Sequence, residues 1–229
     1  MKRIIAAALI AASTAAHAAP FESFFRAEAG LGVTNYSIED GRWYQQGMSH
    51  DVTHVAPEWS LGLTGPIVTR GKWGVDWHAD YVNLGRAAAD CTCTPSDENY
   101  SVKQHKKLNV VDVDDAYFTG SGRAQGFALT IEPYYWFHGL RIGVEAGAFA
   151  YRSSWDESVF NWQVNRAVAP QNLNVGGSSY NVAPVAGVNI GNGRVSLAYR
   201  HYFMSLNSRR SGNPPLWNDA DVLEVKVKF

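Results

Sequence analysis

Apolar side chains recur at every second position over eight separate segments of this chain. In residues 221–229, Leu223, Val225, Val227 and Phe229 alternate with Val222, Glu224, Lys226 and Lys228. A period of two belongs to a β-strand whose two faces meet different surroundings, because successive side chains point to opposite sides. The same alternation runs through 25–36, where Phe25, Ala27, Ala29, Leu31 and Val33 oppose Arg26, Glu28, Gly30, Gly32 and Thr34. It returns in 54–65, 73–82, 125–133, 140–151, 181–190 and 194–203. Eight strands are therefore expected.

The links between these segments alternate as well. Short ones carry "GPIVTRGK" (65–72), "YYWFHG" (134–139) and "GNG" (191–193); long ones span about 37–53, 86–123, 152–179 and 204–219. Four long loops would project from one end and three tight turns from the other, which is the layout of an outer-membrane barrel with periplasmic turns and extracellular loops. The polar face of each strand mixes Gly, Ala and Ser with its charges, a composition suited to a narrow interior rather than a solvated exterior. Tyr134, Tyr135, Trp136 and Phe137 share the turn-side level with Trp73 and Phe229, like an interfacial girdle. The expected fold is all-β: an eight-stranded antiparallel up-and-down transmembrane β-barrel. The competing arrangement is a soluble β-sandwich or lipocalin-like barrel with its apolar face turned inward.

The first residues bear on the compartment. Met1-Lys2-Arg3, the apolar run "IIAAALIAA" (4–12) and "AHA" (16–18) read as a secretory signal peptide cut after Ala18, leaving 19–229 as the barrel domain. No later apolar stretch approaches 18 residues, so no transmembrane helix is expected. A formal net charge of −1 gives no sign of nucleic-acid binding. The two cysteines, Cys91 and Cys93, fall in a long link, where an exported protein would hold them as a strained loop disulfide, as free thiols or, with Asp90 and His105 nearby, at a metal. The spacing fits no zinc pattern, and no metal or cofactor is expected.

The signal peptide, eight dyad-repeat strands, unequal connections and terminal aromatic together resemble the small eight-stranded outer-membrane proteins of the OmpA/OmpX-like, porin-related group of Gram-negative bacteria. The resemblance spans 19–229. It implies a monomer in contact with outer-membrane lipids and lipopolysaccharide. It also implies that the terminal strand, with Leu223, Val225, Val227 and Phe229, is the signal read by the barrel-assembly machinery.

Inside such a barrel the polar face would gather Arg26, Glu28, Glu58, Asp76, His78, Asp80, Glu132, Arg141, Glu145, Arg194, Arg200, Glu224, Lys226 and Lys228. Eight strands leave room only for packed side chains, and buried charges must pair. Glu132 with Arg141, across one turn, and Glu28 with Lys226, where first and last strands meet, are the expected partners. A proton or ion path through Asp76, His78 and Asp80 is the functional alternative, which would make the barrel a narrow channel. The long loops carry Trp43, Tyr44, Trp155, Phe160, Trp162 and Trp217 as contact aromatics, and Arg209 and Arg210 near the rim, where lipopolysaccharide phosphates would lie. One enzymatic pattern is weighed. The tail "AYRHYFMSLNSRRSGNPP" faintly resembles the PagL-type lipid A deacylases, with His201, Ser205 and Asp219 as candidates. Four residues of strand separate His201 from Ser205 by about 13 Å, too far for a nucleophile and its base. No phosphate-binding loop, dinucleotide fingerprint or nucleophile elbow occurs. The resulting expectation is a non-enzymatic barrel anchoring surface loops for envelope integrity, adhesion or partner binding.

Overall fold

A computed structural model describes residues 24–37, 50–93, 116–162, 171–205 and 219–229. Nine strands form, β1 (Arg26–Tyr36), β2 (His50–Thr53), β3 (Val55–Arg70), β4 (Trp73–Cys93), β5 (Ala116–Phe137), β6 (Leu140–Trp162), β7 (Gln171–Gly191), β8 (Val195–Tyr202) and β9 (Ala220–Lys228). Eight of them close a ring through antiparallel pairs, in the order β1, β3, β4, β5, β6, β7, β8, β9 and back to β1. The short β2 pairs only with the far end of β4. Following paired residues from Leu31 through β3, β4, β5 and β6 arrives at Tyr180 on β7. Going the other way, through β9 and β8, arrives at Ile190. That ten-residue stagger is what tilts the strands against the barrel axis and lets the sheet close without an edge.

The turns follow from local chemistry. His138 and Gly139 both take positive φ (48° and 85°), the left-handed pair that a two-residue hairpin needs. Midway along β4 the register shifts between Asn83 and Arg86. Gly85 sits there at φ 75°, its N–H held 2.9 Å from Asn83 Oδ1. From inside the barrel the Tyr36 hydroxyl donates to the carbonyls of Leu84 and Gly85, each at 3.0 Å. A β-carbon at Gly85 would press on Ala56 and the Pro57 carbonyl, so glycine is required twice over.

The strands are unequal. β4, β5, β6 and β7 run 21, 22, 23 and 21 residues, whereas β1, β8 and β9 run 11, 8 and 9. Their extra length all lies at the loop end, where β2 joins them to make a sheet standing above the barrel. This corrects the expected long links. Most of 86–93, 116–123, 152–162 and 171–179 is strand, paired from Arg86–Arg123 to Cys93–Ala116 and from Arg123–Ser154 to Tyr117–Phe160. The alternation that marks the lower strands fades here, because neither face of this sheet meets acyl chains.

Candidate functional site

Every strand of the ring sends side chains inward, and in the turn-side half these are ionic. Arg141 on β6 contacts Asp76 at 2.6 Å and Glu132 at 2.9 Å, its guanidinium 4.0 Å from the Tyr134 ring centre. Glu132 also meets His78 Nε2 at 2.8 Å, while His78 Nδ1 meets Glu28 at 2.8 Å. His78 thus bridges carboxylates from β1 and β5. Lys226 Nζ donates to Glu28 at 2.8 Å and to Asp80 at 3.0 Å. Arg200 then closes the network, donating from Nη2 to Asp80 at 2.7 Å and to Glu145 from Nη2 and Nε at 2.6 and 3.0 Å. Its Nη1 faces Glu224 at 3.4 Å. Ser60 donates to Glu224, and Thr130 makes a short bond to Glu145.

Glycine makes room for these groups. A β-carbon at Gly30 would strike the Glu224 carboxylate, one at Gly143 the Glu132 carboxylate, and one at Gly187 would lie 3.1 Å from Arg200 Cγ. Small residues on the polar face are thus the space into which long charged side chains fold. Glu58 differs from its neighbours. It is 2% exposed, and neither of its carboxylate oxygens has a hydrogen-bond partner among the described residues.

Above the ionic half lies a layer that the alternation does not announce. Tyr36, Leu84, Phe149, Tyr151, Val185, Tyr202, Met204 and Val222 pack together in the lumen. Phe149 stacks on Tyr151 (5.1 Å, 9°) and takes the edge of Tyr202 (4.8 Å, 63°). In the sequence Phe149, Val185 and Val222 stand on the polar face, and only their exclusion from the lipid-facing set marks them.

The outer wall is the reverse. Leu31, Leu61, Leu129, Ile131, Val144, Val182, Leu197, Leu223 and Val225 are exposed on it. On β5 this face runs from Phe127 to Phe137. Ten residues at about 3.3 Å, tilted by roughly 40°, give a band of about 25 Å, the height of a bilayer's apolar zone in such barrels. Trp73, Tyr135, Phe137 and Phe229 edge it on the turn side. Trp59, Tyr81 and Phe127 edge it on the loop side, with ring centres 5.6 and 5.3 Å apart. A greasy exterior this broad around a charged, closed interior is stable only in lipid. The fold is that of a small eight-stranded transmembrane β-barrel.

No protein-family model matches the chain, and no curated protein matches it. Among solved structures it is similar to Ail, the attachment invasion locus protein of Yersinia pestis, in complex with the heparin analogue sucrose octasulfate. That similarity has 10% identity over 90% of this chain and 99% of Ail, with a TM-score of 0.41. A second Ail structure gives 10% identity, 89% and 98% coverage and a TM-score of 0.40.

The remaining sequence candidates fall as follows. Glu132 meets Arg141 and Glu28 meets Lys226. Arg26 and Arg194 are exposed at the turn-side end, outside the buried ionic network. Arg26 and Lys228 line a turn-side cavity with Asp76, Tyr134 and Arg141. Cys91 and Cys93 stand on β4 rather than in a loop, opposite Phe118 and Ala116. Trp155 and Trp162 belong to β6, and Trp155 is buried inside the barrel mouth instead of displayed. Trp43, Tyr44, Arg209, Arg210 and Trp217 lie outside the described residues. His201 is on the outer wall, but its Nδ1 faces Asp221 at 2.7 Å, and Tyr199 donates to the same carboxylate oxygen at 2.5 Å. Asp219 instead accepts the Ser205 backbone N–H at 2.9 Å. The carboxylate that meets His201 is thus Asp221 and not Asp219.

Proposed function

We propose that this protein is a non-enzymatic outer-membrane anchor that holds a β-sheet above the cell surface as a docking platform for an extracellular partner. The carrying observation is the open edge of β7. Among the described residues, Gln171–Tyr180 pair with β6 on one side and with nothing on the other, because β8 reaches only Val185–Gly191. An unpaired strand edge is a template for an added strand from a partner. Asn172, Asn174, Gly176, Gly177 and Ser178 are exposed along it, a polar edge that recruits through main-chain hydrogen bonds rather than through apolar surface.

The barrel supplies rigidity for that role. A lumen filled first by ion pairs and then by aromatics weighs against conduction. Export through the periplasm after loss of 1–18, folding by the barrel-assembly machinery and a monomeric state complete the reading. The test is adherence of bacteria displaying the full chain to immobilised extracellular-matrix protein. Of two consecutive strand residues, one turns its N–H to the open edge, so Ser178→Pro and Ser179→Pro are compared. One of them should lower adherence at least tenfold while heat-modifiable gel mobility stays normal. Wild-type adherence by both would remove the edge from the account.

A further inference from the structure

The geometry points to a binding site for a phosphorylated outer-leaflet glycolipid headgroup on the lipid-side face of β4, β5 and β6, built by Arg86, Arg123 and Arg152. The inference rests on the membrane placement of the barrel and not on the open edge of β7. Cross-strand pairing sets its two rows. Asn83, Gln125, Arg152 and Tyr180 are successive partners across four strands, and Arg86, Arg123, Ser154 and Ser178 form the next row above. The register shift at Gly85 turns Arg86 outward into line with Arg123, while Ala87 faces the buried interior. Three guanidinium groups are thereby gathered on one outward patch.

Height is the second observation. The row beneath Gln125 and Arg152 holds Tyr81, Phe127 and Ala150, and Tyr81 and Phe127 belong to the loop-side aromatic edge of the apolar band. Two to four residues of tilted strand lift the arginines about 5–10 Å above those rings. Aromatic rings settle at the boundary between acyl chains and headgroups, so the arginines stand at the level of headgroup phosphates.

The chemistry of the patch fits a phosphate. Arg123 is exposed and has no ion-pair partner among the described residues. Arg86 pairs with Asp156 at 3.2 Å, both side chains being about two-thirds exposed, a surface contact worth little and readily exchanged. Arg152 reaches Ser178 at 3.4 Å and stands 5.9 Å from the Tyr180 ring centre, which leaves its planar fork free to turn outward. A cleft between Asn83, Arg86, Arg123, Ser154 and Asp156 offers an opening beside these groups. Guanidinium groups bind phosphate through paired parallel hydrogen bonds, and Ser154 and Asn83 add neutral donors. The ligand is thus a glycolipid whose acyl chains lie against the Tyr81–Phe127 wall and whose phosphate meets the arginines.

The full-length protein would be placed in phosphatidylcholine nanodiscs containing either bisphosphorylated lipid A or the same lipid after phosphatase treatment. Co-purified lipid A would be measured by native mass spectrometry. The wild type should retain the phosphorylated form at least tenfold more than the dephosphorylated form. Combined Arg86→Gln, Arg123→Gln and Arg152→Gln changes should abolish that preference, whereas Arg70→Gln, at the turn end, should preserve it. Equal retention of both lipids, or an unchanged preference in the triple variant, would overturn the site. Displacement of the lipid by an equimolar soluble sulfated disaccharide would reassign the patch to soluble anionic glycans and overturn it as well. Failure to enter nanodiscs would strike the barrel assignment itself, and adherence assays on the triple variant separate this site from the β7 edge.

Discussion

Arg200→Met is the sharpest probe of the interior. Arg200 is fully buried and faces Asp80, Glu145 and Glu224, with three hydrogen bonds of 2.6–3.0 Å to the first two. Methionine fills part of the volume but leaves Glu145 without its strongest partner and Glu224 with Ser60 alone among its described partners. Removing one member of a buried ionic group costs about 3–5 kcal/mol, because the remaining charges stay desolvated. The three bonds cannot be summed separately, since they share one side chain. With a urea slope of about 2 kcal/mol/M, a loss of about 4 kcal/mol moves the unfolding midpoint down by about 2 M. The measurement is equilibrium urea unfolding in detergent micelles, followed by tryptophan fluorescence and by heat-modifiable mobility. Adding Glu145→Gln to Arg200→Met should recover part of the loss, since one stranded charge disappears. A midpoint shift below about 0.5 M, with no recovery in the double variant, would mean that water screens these charges and that the sealed ionic interior is wrong.

Glu58→Gln should behave oppositely. Glu58 has no hydrogen-bond partner among the described residues to offset its desolvation, so stability in the same assay should hold or rise by about 1 kcal/mol. Val225→Arg, on the outer wall opposite Leu31, should cost about 2–4 kcal/mol in lipid bilayers, and a neutral result would contradict a lipid-facing wall. Phe149→Ala removes the centre of the apolar layer and should destabilise by about 3–5 kcal/mol. In planar bilayers it should give discrete conductance that the wild type lacks, and wild-type currents of equal size would show that this layer does not close the lumen.

The sequence by itself determined the strands of the bilayer zone and which way each one faces. That is because lipid and a cramped charged lumen impose opposite demands on consecutive residues, and a period of two records both. Leu223, Val225 and Phe229 are legible outward, and Glu224 and Lys226 inward, from nine residues alone. Where that contrast ends, the record ends. Residues such as 86–93 and 116–123 have no acyl chains on either face, so the tall sheet of β4–β7 reads as loop until the strands are seen paired. Two inner pairs, Glu132–Arg141 and Glu28–Lys226, follow from strand order; the others only tertiary structure decided. Arg200 and Asp80 are 120 residues apart, and Lys226 and Asp80 are 146 apart. Their contacts depend on the ten-residue stagger with which the ring closes, a property of all eight strands together. The same stagger stacks Phe149 against Tyr202, and the register shift at Gly85 lines Arg86 up with Arg123, neither of which any single strand could specify.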